Sequence, residues 1–195
     1  MRQDRRSEIV RVAMRLLDEG GFEAVSLRAV AAGMGVRLNT VTWHIKTKSR
    51  LLDLLADAII GEISLADLPD GPGDAARELL RRYRRALLAH QDGGLVVAGT
   101  FAAEPATLRY AEKLLAALLR SGLDNRAAGW TAWTLIYFAL GLAQEEQKAP
   151  RLLTDQVAPA LDAGTYPALS LTMPFLADGA FDDRFEYGLN LILSA

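Results

Sequence analysis

The stretch SLRAVAAGMGVRLNTVTWHIKTKSR, residues 26–50, carries two short apolar stripes of helical period separated by a three-residue turn. Ser26 is placed to cap a helix whose inward positions are Leu27, Val30, Ala31 and Met34, and Gly35 ends it after little more than two turns. The turn Gly35-Val36-Arg37 leads into a second segment from about Leu38 to Ile45, in which Val41 and Ile45 share one side of the helical wheel. Asn39, Thr40, Trp43 and Lys46 fall on the opposite side, with Thr42 and His44 on the flanks. This spacing is that of a helix-turn-helix. A major groove about 12 Å wide admits a thin, exposed helix, and outward residues that hydrogen-bond or stack suit the reading of base edges. Arg28 opens the first helix, where side chain and helix N-terminus can both meet phosphate; Lys48 and Arg50 open the next one.

Outward from this core, Ile9, Val12, Ala13, Leu16 and Leu17 form the stripe of a preceding helix that Gly20-Gly21 stops. Thr47 is placed to cap a longer helix running to about Leu65, with Leu51, Leu52, Leu55, Ala58 and Ile59 inward. A loop over 67–73 precedes a helix from about Asp74 to His90, a break at Asp92-Gly93-Gly94 and a short apolar piece ending near Gly99. Pro105 suits the first turn of the next helix, to about Ser121; Asp124 or Asn125 then caps the longest one, to about Lys148. Residues 149–165 read as an irregular connection, a helix follows Pro167, and Phe181, Phe185, Gly188, Leu189 and Ile192 stripe the last. The expected fold is all-α with about ten helices. A three-helix head spans 1–47, a connecting helix about 47–65, and a larger helical domain 66–195.

Composition narrows the chemistry. In 195 residues, 51% are hydrophobic and 24% charged, which is a globular balance rather than a disordered one. There is no cysteine, and the two histidines, His44 and His90, stand far apart, so neither a thiol site nor a histidine-built metal site is expected. No serine sits in a nucleophile motif, which argues against an enzyme. No apolar run reaches 18 residues and the N-terminus is charged, so the expectation is a cytoplasmic protein with no membrane partner. Residues 1–50 hold ten Lys/Arg against five Asp/Glu, a balance of +5, whereas residues 51–195 hold twelve against nineteen, a balance of −7. A basic head on an acidic body directs only the head to a polyanion.

The segment from Leu16 to Leu52 resembles the tetracycline-repressor (TetR) family in Gly20-Gly21-Phe22, Leu27-Arg28, Val30-Ala31, Gly35-Val36, Thr40, Trp43-His44, Lys46-Thr47-Lys48 and Leu51-Leu52. In the body, Ala86 to Gly93 and Gly99-Thr100 resemble the same family's tetracycline-repressor subgroup. The resemblance implies base and phosphate contacts by Ser26, Leu27, Arg28, Thr40, Thr42, Trp43, His44 and Lys48. Leu38 and Asn39 stand where the subgroup has glutamine and proline, and Thr42 where tyrosine is usual, so a different operator is expected. Periodicity turns Leu38 inward, whereas the family geometry places it beside a base, where a thymine methyl is its natural contact.

The resemblance further implies a homodimeric repressor, bound to palindromic double-stranded DNA and released by a small molecule held in the body. An activator, or a regulator without a ligand, is the alternative. In the subgroup a histidine binds the magnesium of a drug chelate; its position is Val97 here, which cannot. The other implied effector contacts are Ser64, Leu79, Tyr83, Thr100, Leu114 and Glu145, and Phe101, next to Thr100, is expected to join them. Histidine, asparagine and glutamine have become Ser64, Leu79 and Leu114, so the expected effector is largely apolar, not magnesium-tetracycline, and no cofactor is expected. Trp130, Trp133 and Tyr137 lie on one face of the longest helix, as core or as pocket wall. Its other side offers Ala128, Ala132, Leu135, Ala139 and Ala143, which with Gly188 permit close helix approach; with Phe181, Phe185, Leu189 and Ile192 they form the expected four-helix dimer interface. His90 is expected to interact with a helix C-terminal dipole.

Overall fold

The first helical span, α1 (Arg2–Ala24), is broken by a kink where the glycine pair was expected to stop it: Gly21, at φ 70° and ψ −171°, is non-helical and occupies a region essentially closed to other residues. A computed structural model of the chain describes residues 2–100, 103–148, 164–176 and 180–194. Ten helices and no strand lie among them. After α1 come α2 (Leu27–Gly33), α3 (Leu38–His44), α4 (Lys48–Gly61), α5 (Pro72–Leu88) and α6 (Gly93–Ala98). They are followed by α7 (Pro105–Arg120), α8 (Asn125–Lys148), α9 (Pro167–Leu176) and α10 (Phe181–Leu193). The expected connection over 149–165 falls mostly outside the described residues.

Caps form where the sequence places them. Ser26 Oγ accepts the Ala29 N–H at 3.1 Å and Thr47 Oγ1 the Arg50 N–H at 3.1 Å. Asp124 Oδ1 accepts the Ala127 N–H at 2.8 Å, so each of these helix starts satisfies a donor that would otherwise be orphaned. Helices α1, α2 and α3 pack together through Ile9, Ala13, Leu17, Val30, Val41 and Ile45, all buried. Helix α4 touches α1 on one side and α5, α6 and α7 on the other. Its buried Leu51, Leu55, Ile59 and Ile60 therefore join head and body in one continuous core.

Two boundaries differ from expectation, both for tertiary reasons. Helix α4 ends at Gly61 rather than near Leu65. The Arg82 guanidinium, from α5, binds the carbonyls of Ser64 (2.8 Å), Ala66 (2.6 Å) and Asp67 (3.1 Å) and so holds the chain in a turn. The expected break at Asp92-Gly93-Gly94 is instead the start of α6, with Asp92 at φ 56° making the turn. Gly93 is there for close approach, since a side chain on it would collide with the Leu87 carbonyl.

Candidate nucleic-acid interface and ligand cavity

Buried Val41 and Ile45 anchor α3 to the head and leave Asn39, Thr40, Trp43 and Lys46 exposed, with Leu38, Thr42 and His44 half-buried beside them. Trp43 has 72% of its surface open to solvent, on a residue type that burial usually claims. Arg28 and Lys48 are exposed on the same head, and Ser26 and Leu27 are half-buried. Lys48 Nζ sits 4.8 Å above the Phe22 ring, which steadies a cation at the start of α4. Arg50 is otherwise engaged: it pairs with Glu104 at 2.6 Å and with Asp53 at 3.5 Å, so it fastens α4 rather than facing outward for phosphate. Exposed Arg37, at the N-cap of α3, is an outward cation that the sequence reading assigned only to a turn.

The body holds a cavity of about 650 Å³, open to solvent on one side, between α4, α5, α6, α7 and α8. Its wall includes Ala56 and Ile60 from α4, Tyr83 from α5, Val97 from α6 and Thr100 just beyond it, Thr107, Tyr110, Leu114 and Leu115 from α7, and Ala132, Trp133, Ile136, Tyr137, Leu140 and Gln144 from α8. Every described lining residue is uncharged at neutral pH. Tyr83 and Tyr110 stack at 5.2 Å, and Tyr110 donates its hydroxyl proton to the Leu79 carbonyl at 3.2 Å. Burial pushes the Tyr83 and Tyr110 hydroxyls well above the usual tyrosine range, so both stay neutral. Trp133 and Tyr137 stack at 5.3 Å and are both more than a third exposed.

Of the expected effector contacts, Tyr83, Val97, Thr100, Leu114, Trp133 and Tyr137 come together on this wall. Four others do not. Leu79 is fully buried in the core behind Tyr110. Ser64 lies in the turn after α4, beside a separate recess with Glu62, Glu78, Arg82 and Arg85. Glu145 is exposed and pairs with Arg184 at 3.4 Å. Trp130 points outward under the Arg126 guanidinium, at 4.1 Å. Phe101 lies outside the described residues. Tyr110, Thr107 and Gln144 had no signal of their own in the sequence, although Tyr110 stands one helical turn before Leu114.

The expected dimer faces are also differently employed. Leu135, Ala139 and Ala143 have no exposed surface within one chain, Ala128 is buried with them, and Ala132 lines the cavity. Phe181, Phe185 and Leu189 are buried against the same chain: Phe185 stacks on Phe138 at 5.8 Å, with the Arg84 guanidinium 5.1 Å from its ring. Gly188 meets Phe138 so closely that a methyl there would enter the ring, and Ile192 is half-buried. Arg84, buried, bridges Glu146 at 2.7 Å and Asp182, tying α5 to α8 and α10. Small residues thus serve helix packing inside the protomer. The outward faces of α8 and α10 present Trp130, Thr134, Tyr187 and Leu191.

His90 is not a simple dipole partner. Its Nδ1 lies 2.9 Å from Asp18 of α1 and its Nε2 3.0 Å from Glu62, at the end of α4. Two residues on, Asp92 Oδ2 accepts the Phe22 N–H at 2.8 Å, across from Gly21. Among the described residues, no group of three or more His, Asp or Glu is arranged to hold a metal, and no helix is long and apolar enough to cross a membrane.

Residues 9–55 match the family described as bacterial regulatory proteins, tetR family, and residues 68–195 match the tetracyclin repressor-like C-terminal domain. The chain is 32% identical to the tetracycline repressor protein class C of Escherichia coli, over 99% of this chain and 90% of that one. Its fold superposes with a TM-score of 0.88 on a possible TetR family transcriptional regulator from Streptomyces coelicolor A3(2), 33% identical and covering 97% of both chains. The same score relates it to ActR of Streptomyces coelicolor in complex with actinorhodin, at 25% identity over 97% of this chain and 94% of that one.

Proposed function

The chain belongs to the TetR family of bacterial regulatory proteins and is a DNA-binding transcriptional regulator with a ligand-binding body; we propose that it is a homodimeric repressor, released from a palindromic operator by an uncharged, largely apolar effector. In this reading residues 1–47 meet the DNA in the cytoplasm, α4 connects, and residues 66–195 bind the effector and pair the protomers. The observation that carries it is the cavity of about 650 Å³ whose described wall has no charged side chain. That volume lies within the range of small-molecule sites, and a site without a counter-charge favours a neutral occupant. Valine at position 97 offers no lone pair to magnesium. Tyr83, Thr100 and Gln144 remain as orienting groups.

The cavity touches two elements that also touch the head. Helix α4 gives it Ala56 and Ile60 and continues back to Leu51 and Leu55 in the shared core. Helix α6 gives it Val97, while Asp92 at its other end holds the Phe22 amide. Asp57 of α4 also accepts the Thr107 N–H and hydroxyl, at 2.8 and 3.0 Å, which ties α4 to the first turn of α7. An effector that alters the packing of α4 or α6 changes the angle of the head. The operator accepts only one spacing of two recognition helices, so effector and operator oppose each other by one coupling factor, about 5–150-fold in typical systems.

Trp130, Thr134, Tyr187 and Leu191 are proposed as the face between protomers, since they form exposed one-turn pairs on α8 and α10 that intrachain packing leaves open. Selection on random duplexes tests the DNA reading. The expected product is a palindrome with half-sites about one helical turn, ~34–36 Å, apart. Asn39→Ala is expected to change the preferred bases, and Lys48→Ala to weaken all duplexes and flatten the salt dependence. Recovery of no palindrome would end this reading.

A further inference from the structure

His90 occupies the corner between α5 and α6, with 11% of its side chain exposed. Each of its ring nitrogens faces a carboxylate from a different part of the molecule: Asp18 on α1, in the head, and Glu62 at the end of the connecting helix α4. A neutral imidazole carries one N–H and one lone pair, so it can satisfy only one of these carboxylates and repels the other. Both bonds require the imidazolium. We propose that the His90 imidazolium is a positioning group that ties the head to the body, and that its proton makes operator affinity depend on pH near neutrality. This rests on the DNA-binding reading above.

The surroundings support the charge. Burial works against it, and the hydrogen bonds and negative charges of Asp18 and Glu62 outweigh burial, so the ring titrates above the usual histidine range. Asp18 is the acid facing the ring from α1 and Glu62 the one from α4. From α6, Asp92 is spent on the Phe22 amide, and from α8 the neutral Gln147 donates to the His90 carbonyl at 2.7 Å. The seam between head and body thus has a fixed stitch, Asp92 to Phe22, and a second one that holds only while His90 is protonated. Losing the proton releases one of the two carboxylates, on α1 or at the end of α4, while the Asp92–Phe22 stitch stays in place. Helices α1 and α4 are themselves in contact where head and body join.

The test measures affinity for one duplex, the site selected by the wild-type protein, by fluorescence anisotropy from about pH 6 to about pH 8.5. Wild type is compared with His90→Lys, which keeps a cation throughout the range, and with His90→Gln, which never carries one. The expected result is that wild type follows the lysine variant at low pH and crosses to the glutamine variant at high pH, the two limits differing by about threefold or more. Asp18→Asn with Glu62→Gln, at two half-exposed surface positions, is expected to remove the crossing while leaving His90 in place. His44, on the recognition helix, is present unchanged in all four proteins and cannot produce the difference. Parallel profiles for wild type and both His90 variants would overturn the proposal. Failure of every protein, at every pH, to bind any selected duplex would overturn the DNA-binding reading instead.

Discussion

At the scale of single residues, the chain's departures from its relatives decide its chemistry. Val97 stands on the cavity wall at the position that the resemblance gives to a magnesium-binding histidine. Tetracycline with magnesium is therefore expected to leave the intrinsic tryptophan fluorescence, to which Trp133 on the same wall contributes, unchanged at micromolar drug. Magnesium-dependent quenching in that range would contradict the apolar-effector reading. His90 makes a second prediction. Its pKa is raised in the folded protein, so its ion pairs stabilise the fold fully below the unfolded-chain value of about 6.5 and lose that contribution as pH rises through the folded value. The melting temperature of wild type, measured against His90→Gln, is expected to lose its advantage as pH is raised from about 6 into the alkaline range. A constant gap across that range would mean the ring does not titrate with folding.

Among the helices, the ends carry the function. Helix α1 turns through Gly21, whose φ of 70° and ψ of −171° suit glycine alone, and whose missing side chain leaves room for Asp92 and Gln91. Gly21→Ala imposes both backbone strain and a collision with the α6 cap. It is expected to cost about 1–3 kcal/mol in chemical denaturation. It should also weaken operator binding, because the Phe22 amide can no longer reach Asp92. Stability equal to wild type would show that the head tolerates another seat. Helix α6 has a comparable economy: Gly94 N–H bonds Gln147 Oε1 at 3.1 Å, and Gln147 returns a bond to the Leu87 carbonyl at 3.0 Å. The element that joins cavity to head is thereby held to α5 and α8 by polar contacts at its start, while its far end, at Val97, faces the cavity.

For the whole molecule, the outward aromatic and aliphatic residues of α8 and α10 are the face proposed above to meet a second protomer. Trp130 is 62% and Tyr187 68% exposed, and Leu191 lies one turn from Tyr187 on the same side of α10. Tyr187→Arg with Leu191→Arg places like charges opposite each other across a twofold axis. Sedimentation of this variant is expected to show monomers at micromolar concentration, with helical content kept because both side chains face away from the protomer's own core. A dimer that persisted would move the interface elsewhere. Loss of the dimer is also expected to abolish selective binding to the palindrome, since one head reads one half-site.

The sequence by itself determined the helices and the head. Local signals suffice there: caps at Ser26, Thr47 and Asp124, a positive-φ glycine at Gly35, and apolar positions at helical spacing all act within a few residues. It also separated the inward Val41 and Ile45 from the outward Asn39, Thr40, Trp43 and Lys46, because a seven-residue helix has only two sides to offer. Tertiary structure decided which side of a longer helix meets which neighbour. Helix α8 is surrounded by α5, α6, α7 and α10, so its periodicity could not say whether Ala132 or Ala139 faces the cavity, nor that Trp133 lines it while Trp130 does not. The small residues read as a surface for another chain are taken up by helix packing within this one, since close approach looks the same in sequence whichever chain supplies the partner. Ion pairs such as His90 with Asp18 and Glu62 join residues 72 and 28 positions apart. No local pattern encodes such a pairing, because the folded path of α1, α4 and α5 is what brings the three together.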